Sequence, residues 1–275
     1  MSSRGAVTIA AVIPTHDRPE LLREALAAVV AQTRAPDEVI VVDNGGTPAS
    51  LPGVAIAGLR VLRIAPHAGA ARSRNAGVEA AASSFVSFLD DDDLWAPDYL
   101  ERVEAAIVRD DPDYVIGRLN RLVDGAIAGF RVITQFDRLL DAVWVTNPGV
   151  VGSNSTVKRE AFLRLGGYDP ELITSEDRSL LVEFLLARAK VRAAPEASAM
   201  VREHSGDRLS DPRRMVEGKR RFLAKYAASM PAWARLRNRA VIAFQGWRAD
   251  RNPLRLLETG AFVLAARVAR VGARR

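Results

Sequence analysis

The chain has no cysteine among its 275 residues. Disulfides and thiolate-ligated zinc are therefore excluded, and any metal must be held by carboxylates or by the three histidines. Aromatic residues make up only 6%. No stretch approaches the ~20 apolar residues of a membrane span. The opening Met-Ser-Ser-Arg-Gly-Ala lacks the apolar core of a secretory leader, so a cytoplasmic protein is expected. No Gly-x-Gly-x-x-Gly follows the first apolar run, which disfavours hydride transfer with a dinucleotide. Internal repeats and low-complexity linkers are also missing.

What is present, 48% hydrophobic and 26% charged residues, suits one large globular domain, or one domain with a helical appendage. Charge is unevenly placed. Residues 212–275 hold 16 basic and 3 acidic side chains, a surplus of +13, which leaves −7 on the rest of a chain whose net charge is +6. A basic tail on an acidic body calls for an anionic partner: membrane surface, nucleic acid or acidic substrate.

Residues 7–13 are a short apolar run ending at Pro14, as a buried parallel strand would be. Asp17 and Pro19 are helix start signals, and Leu21, Leu22, Ala25, Leu26, Val29 and Val30 follow at helical spacing. Further strands are predicted over 38–42, 60–65 and 85–89, and helices over 70–82 and 97–109. The alternation predicts an α/β fold: a mostly parallel central sheet with helices on both faces. Beyond it come a hairpin over 114–133 around Asp124-Gly125, a strand over 153–157, and helices over 160–165 and 176–188. An extended run over 191–203 follows, and from 211 a helical extension broken near Pro231 and Pro253. The expected division is one domain over 1–210, in halves 1–112 and 113–210 that the resemblance given below makes the donor and acceptor halves of a catalytic domain, followed by a basic extension over 211–275.

In open α/β sheets, ligands bind beyond the carboxyl ends of the strands. Three polar segments fall there: Pro14-Thr-His-Asp-Arg18, Asp43-Asn44, and the four aspartates at 90–93. Two like charges ~4 Å apart cost about 1 kcal/mol in water and about 4 near a protein surface, so such a cluster requires something cationic. Mn²⁺ or Mg²⁺, which prefer hard oxygen ligands, would serve and could bridge to phosphate. In an extended segment Asp90 and Asp92 would share one face and Asp91 the other. The plainer alternative is a polar loop with a helix cap. Trp95 reads as a packing anchor, and His16 and His67 as ordinary loop residues.

The chain resembles family two glycosyltransferases of GT-A fold. The matching segments are Val12-Ile-Pro-Thr-His-Asp-Arg-Pro-Glu-Leu21, Glu38-Val-Ile-Val-Val-Asp43, Ser73-Arg-Asn-Ala-Gly77, Phe88-Leu-Asp-Asp-Asp-Asp-Leu-Trp95, and Gly166-Gly-Tyr-Asp169 followed by Ser175-Glu-Asp177. Order and spacing fit over roughly residues 7–205. The resemblance implies a Rossmann-like sheet and inverting sugar transfer from a UDP-, GDP- or dTDP-linked donor to a glycan or lipid-linked acceptor, in cell-surface polysaccharide or glycoconjugate synthesis. It implies that Asp92 is the main metal ligand, assisted by Asp90, with Asp91 near the ribose. Asp43 would accept a hydrogen bond from the base, and the backbone of Pro14 and Thr15 would line the nucleotide pocket with Arg18. Arg74 would meet base or phosphate, and His204 would sit near the metal or diphosphate. Asp177 would be the general base, with Glu176 shaping the acceptor pocket. Asn44 departs from the family's second aspartate, keeping hydrogen bonding and losing charge. Ser73 stands where alanine is usual.

Alternatives remain at this stage. Thr174-Ser-Glu-Asp177 is also what a helix start favours through capping and the macrodipole. Leu254, Leu257, Ala261, Leu264, Val268 and Val271 form one helical stripe bordered by arginines. It either packs on this domain or a second subunit, or lies on an anionic membrane at the inner face of the cell. A nucleic-acid role for the tail is weakened by the lack of interleaved aromatic residues. A sugar nucleotidyltransferase would want a glycine-rich basic loop where Pro14-Thr-His-Asp17 stands.

Overall fold

The computed structural model describes residues 6–49, 51, 56, 58–133, 138–172, 174–202 and 212–272. Two compact units divide the chain. The first takes Met1–Phe136, Gly149–Asp169 and Glu183–Glu203, and the second Asp137–Pro148, Pro170–Val182 and His204–Arg275. The second unit thus joins two earlier segments, Asp137–Pro148 and Pro170–Val182, to the C-terminal helices.

In the first unit, β1 (Ile9–Thr15), α1 (Pro19–Val30), β2 (Glu38–Asp43), β3 (Leu59–Arg63), α2 (Ala70–Ala80) and β4 (Phe85–Phe88) follow the predicted alternation. After β4 come β5 (Leu94–Trp95), α3 (Tyr99–Asp110), the hairpin β6 (Tyr114–Val123) and β7 (Ala126–Arg131), β8 (Ser155–Lys158), α5 (Arg159–Arg164) and β9 (Val191–Arg202). Among the described residues these strands form one sheet in the order β3-β2-β1-β4-β8-β6-β9-β5, with β7 on β6. β3, β2, β1 and β4 are parallel to one another. β8 then pairs antiparallel with both β4 and β6, and β9 runs parallel to β6.

Period-two alternation sorts β1 between two cores. Ile9, Ala11 and Ile13 pack with Leu22, Leu26 and Val29 of α1 and Tyr99, Leu100 and Val103 of α3. Val12 faces the other way, toward α2. A Cβ on Gly77 would lie 2.3 Å from Val12 Cγ1, so only glycine allows the helix this approach. All seven residues of β1 are buried, as expected of a strand covered on both faces. Trp95 is buried and stacks on Tyr99 at 4.6 Å, and its indole N–H donates to the Ser153 carbonyl at 2.7 Å.

In the second unit, α4 (Leu139–Val143), α7 (Pro212–Tyr226), α8 (Ala232–Asp250) and α9 (Leu254–Gly272) assemble with the start of α6 (Glu176–Leu186). Arg178 fastens them. Its guanidinium lies 3.7 Å from the Phe222 ring centre and donates to the carbonyls of Val143 (2.6 Å) and Trp144 (2.5 Å). Asn238 of α8 donates to the same Trp144 carbonyl at 2.6 Å. Burial pushes the Arg178 guanidinium down to about 9, and these acceptors are what hold the charge in so dry a place.

Candidate active site

The strand order reverses between β1 and β4, where a parallel sheet opens a crevice for ligands. The turns leaving β1, β2 and β4 meet there. Thr15 Oγ1 donates to Asp91 at 2.8 Å. The Arg18 guanidinium reaches Asp92 at 2.8 Å and Asp91 at 3.4 Å. Arg74, buried on α2, pairs with Asp90 at 2.5 Å and lies over the Tyr168 ring. Gly152 packs so closely on that guanidinium that a Cβ would come within 2.7 Å of it.

The aspartates do not run on as an extended strand. The Asp93 N–H donates to the Asp90 carbonyl at 3.1 Å, closing a tight turn. The expected alternation, with Asp91 facing away from Asp90 and Asp92, therefore fails. Asp91 and Asp92 share Arg18, and Asp90 turns to Arg74. Asp93 goes inward, accepting from Ser153 Oγ at 2.5 Å and the Arg202 N–H at 3.1 Å. Burial drives the Asp91 carboxyl up to about 6, with the Asp92 charge adding to the effect while the Thr15 bond opposes it. Burial, reinforced by the charges of Asp90 and Asp92, raises Asp93 well above the carboxylate range. Arginine pairing and suppressed ionisation thus relieve much of the repulsion. Asp90 and Asp92 keep about a quarter of their side-chain surface open, 26% and 24%. Among the described residues no three histidine or acidic side chains are grouped to hold an ion. His204 lies outside the described residues.

Asp43 is buried at the end of β2, accepting the N–H groups of Gly45 and Ala49 at 2.8 Å each. Arg63, its register partner on β3, reaches it at 2.5 Å and also donates to the carbonyls of Gly45 and Gly46. Asn44 turns its amide inward, donating to the Thr15 carbonyl (2.9 Å) and to Ser73 Oγ (3.0 Å). The two departures from the family pattern, Asn44 and Ser73, therefore touch each other. His16 Nδ1 meets the Asn44 carbonyl at 2.9 Å, and its ring lies 4.8 Å from that of His67. Asp17, at a φ of 52°, accepts from the N–H groups of Gly46 and Thr47, stitching the first loop to the second. Arg63 and Ser153 stand out in no sequence motif, and Asp17, expected as a helix start signal, bridges the two loops instead. Only the register that sets Arg63 opposite Asp43 would have pointed to the first.

In the second unit, Glu176 and Asp177 occupy the first turn of α6, where the macrodipole favours acids. The Ser179 N–H donates to the Ser175 carbonyl at 2.8 Å, which makes Ser175 the cap. Glu176 is buried and Asp177 partly so.

Comparison with known proteins bears on this arrangement. An uncharacterized glycosyltransferase of Haemophilus influenzae is 26% identical over 189 residues, covering 63% of this chain and 60% of that protein. Succinoglycan biosynthesis protein ExoW of Rhizobium meliloti is 36% identical over 110 residues, covering 37% of this chain and 34% of that protein. Each match spans less than two thirds of the relative. Among solved structures, S. aureus TarS 1–349 in complex with UDP-GlcNAc shares the fold with a TM-score of 0.59 at 17% identity, over 94% of this chain and 72% of that one. The sequence pattern of Glycosyl transferase family 2 matches residues 10–166. That stretch is more than half of the chain and contains β1, β2, α2 and the four aspartates, so the protein belongs to glycosyl transferase family 2.

Proposed function

We propose that this protein transfers a sugar from a UDP-, GDP- or dTDP-linked donor to a hydroxyl of a glycan or lipid-linked acceptor, with inversion at the anomeric carbon. The observation that carries the reading is the gathering of Thr15, Arg18, Asp43 and the aspartate turn at the ends of three neighbouring parallel strands in a family 2 chain. The UDP-GlcNAc bound to TarS supports a nucleotide-sugar donor, and the succinoglycan role named for ExoW supports polysaccharide synthesis. A lipid-linked acceptor would place the enzyme at the inner face of the cell membrane.

Mn²⁺ or Mg²⁺ fits the donor chemistry of Asp90 and Asp92. Partly open carboxylates suit an ion that takes one or two protein oxygens and fills its shell with phosphate and water. His204 is the third proposed ligand. When bound, the ion supplies charge stabilisation to the departing diphosphate. The chain's own groups do the rest. Asp43, fixed by Gly45, Ala49 and Arg63, accepts from the base. Asp91, held by Thr15, meets the ribose. The backbone of Pro14 and Thr15, supported by Asn44, lines the nucleotide with Arg18, and Arg74 fixes Asp90 beside the phosphates. Asp177 removes the acceptor hydroxyl's proton as its oxygen bonds to the anomeric carbon opposite the leaving diphosphate, which departs with the bonding pair. Glu176 shapes the acceptor pocket.

Thermal shifts with UDP, GDP, dTDP and CMP, each with and without Mn²⁺, test the donor half. One diphosphate should raise the melting temperature in a metal-dependent way, since ligand at ~100 times its Kd adds about 2.7 kcal/mol. No metal-dependent shift with any of them overturns the reading. Asp177→Asn should keep that shift and lose turnover by about 10²–10⁴. Undiminished turnover would assign the base elsewhere.

A further inference from the structure

Helix α9 carries two apolar faces, and only one is used. Phe262, Val263 and Ala266 turn toward the rest of the second unit, and Ala266 is buried. On the opposite side of the same 3.6-residue helix stand Leu254, Leu257, Ala261, Leu264, Val268 and Val271. This stripe, which the sequence offers as either a packing face or a membrane face, is open to solvent: Leu257 is 71% exposed, Leu264 65% and Val268 68%. Nothing in the described chain covers it, and leaving such side chains in water is unfavourable.

We propose that α9 lies in the interfacial plane of an anionic lipid bilayer, with this stripe in the acyl boundary and Arg267, at its flank, among the headgroups. Charge decides the occupant. Residues 212–275 carry a surplus of +13 against −7 on the rest of the chain, and juxtamembrane Lys and Arg are drawn to acidic lipids. The three-and-four spacing would also suit a coiled-coil seam with a second copy. A symmetric pair, however, would bring two such basic segments together. The positions flanking the stripe, Glu258, Gly260, Ala265 and Arg267, include one acid and one base and otherwise only small residues, a poor set for ion pairs across a seam. Among the described residues no helix is long and apolar enough to cross a membrane, so α9 lies on the surface rather than through it. Arg251 and Arg270 are already stacked on Trp247 and Trp233 at 5.0 and 4.6 Å, which holds basic groups at both ends of the helix. The inference extends the lipid-linked-acceptor reading and does not depend on it.

The test uses the full chain and two vesicle types, phosphatidylcholine alone and phosphatidylcholine with about one-third phosphatidylglycerol. The protein should cosediment with the second and not the first. Leu257→Ser with Leu264→Ser, a charge-neutral change at exposed positions, should weaken that binding by at least about tenfold, with circular dichroism and nucleotide-induced melting shifts unchanged. Three results would overturn the proposal: no binding to the anionic vesicles, equal binding by the double variant, or a dimer in sedimentation analysis that the double variant dissolves. The last would assign the face to a second copy. None of the three touches the transfer reading, because nucleotide binding is read separately.

Discussion

Four identical residues in a row meet four different fates. Asp90 pairs with a buried arginine, Asp92 with a half-exposed one, Asp91 bonds to a threonine hydroxyl, and Asp93 is sealed beneath Ser153. The electrostatic argument from sequence asked for a cation, and the fold supplies two arginines before any metal is considered. The consequence is measurable at Asp91, whose carboxyl burial lifts from an ordinary 3.8 to about 6. Below pH ~4 the folded and unfolded chains both hold this proton, and the group costs nothing. As pH rises from ~4 to ~6 the unfolded chain ionises first, so Asp91 destabilises the native state by an amount that levels off near 3 kcal/mol, on the order of the pKa difference. Asp91→Asn removes that proton. In denaturant titrations without nucleotide or metal, the stability difference between wild type and Asp91→Asn should shift in the variant's favour by about 1–3 kcal/mol between pH 4 and pH 7. A difference that stays flat with pH would mean that Asp91 ionises normally in the folded protein. The slope is the diagnostic, because an amide also replaces an oxygen facing Arg18.

At the scale of elements, α2 shows why the segment Ser73-Arg-Asn-Ala-Gly77 holds together. Ser73 receives the Asn44 amide, Arg74 the Asp90 carboxylate, and Asn75 exchanges two hydrogen bonds with the backbone of Tyr168. Gly77 lets the helix press onto β1 and β2. Gly77→Ala should cost about 1–3 kcal/mol through overpacking against Val12 and Val42. It should also weaken nucleotide binding, since the helix carries Arg74. Val12→Ala in the same chain should restore part of both, and chemical denaturation with nucleotide titration reads the two effects. If Val12→Ala adds its own loss instead, the contact is not what sets the helix position. Much of this was legible beforehand. Strands over 7–13, 38–42 and 85–89, the hairpin at Asp124-Gly125 and the helix stops at Gly166, Pro231 and Pro253 follow from periodicity and turn chemistry, which are local. What escaped is non-local. β5 is a two-residue strand defined only by its partner β9, and α4 is a five-residue helix built into the second unit. The pairing of Arg63 with Asp43 exists only once β2 and β3 are in register. The aspartates, expected to continue the strand unless they formed a polar loop, make a turn that aspartate tolerates, closed by the Asp93 N–H on the Asp90 carbonyl and tied down by Ser153, partners that only the folded chain brings together.

At the scale of the whole molecule, charge and apolar surface are concentrated in the same C-terminal helices, and they answer differently to salt. Attraction between the basic segment and an acidic surface is screened over a Debye length of about 10 Å at 0.1 M salt and about 3 Å at 1 M. Insertion of the α9 stripe is apolar and is not screened. Binding to phosphatidylglycerol vesicles should therefore fall between about 0.1 M and about 1 M salt, to a residue that wild type keeps and Leu257→Ser with Leu264→Ser loses. Duplex DNA separates the two contributions. Any affinity of the +13 segment for it rests on counterion release, so it should vanish at high salt and be the same in both proteins. Superimposable salt curves for wild type and double variant on vesicles would mean that charge alone holds the protein there and the stripe stays in water. A vesicle-bound fraction that survives 1 M salt in wild type alone would show the leucines inserted, because no screened attraction between arginine and phosphate persists under that condition.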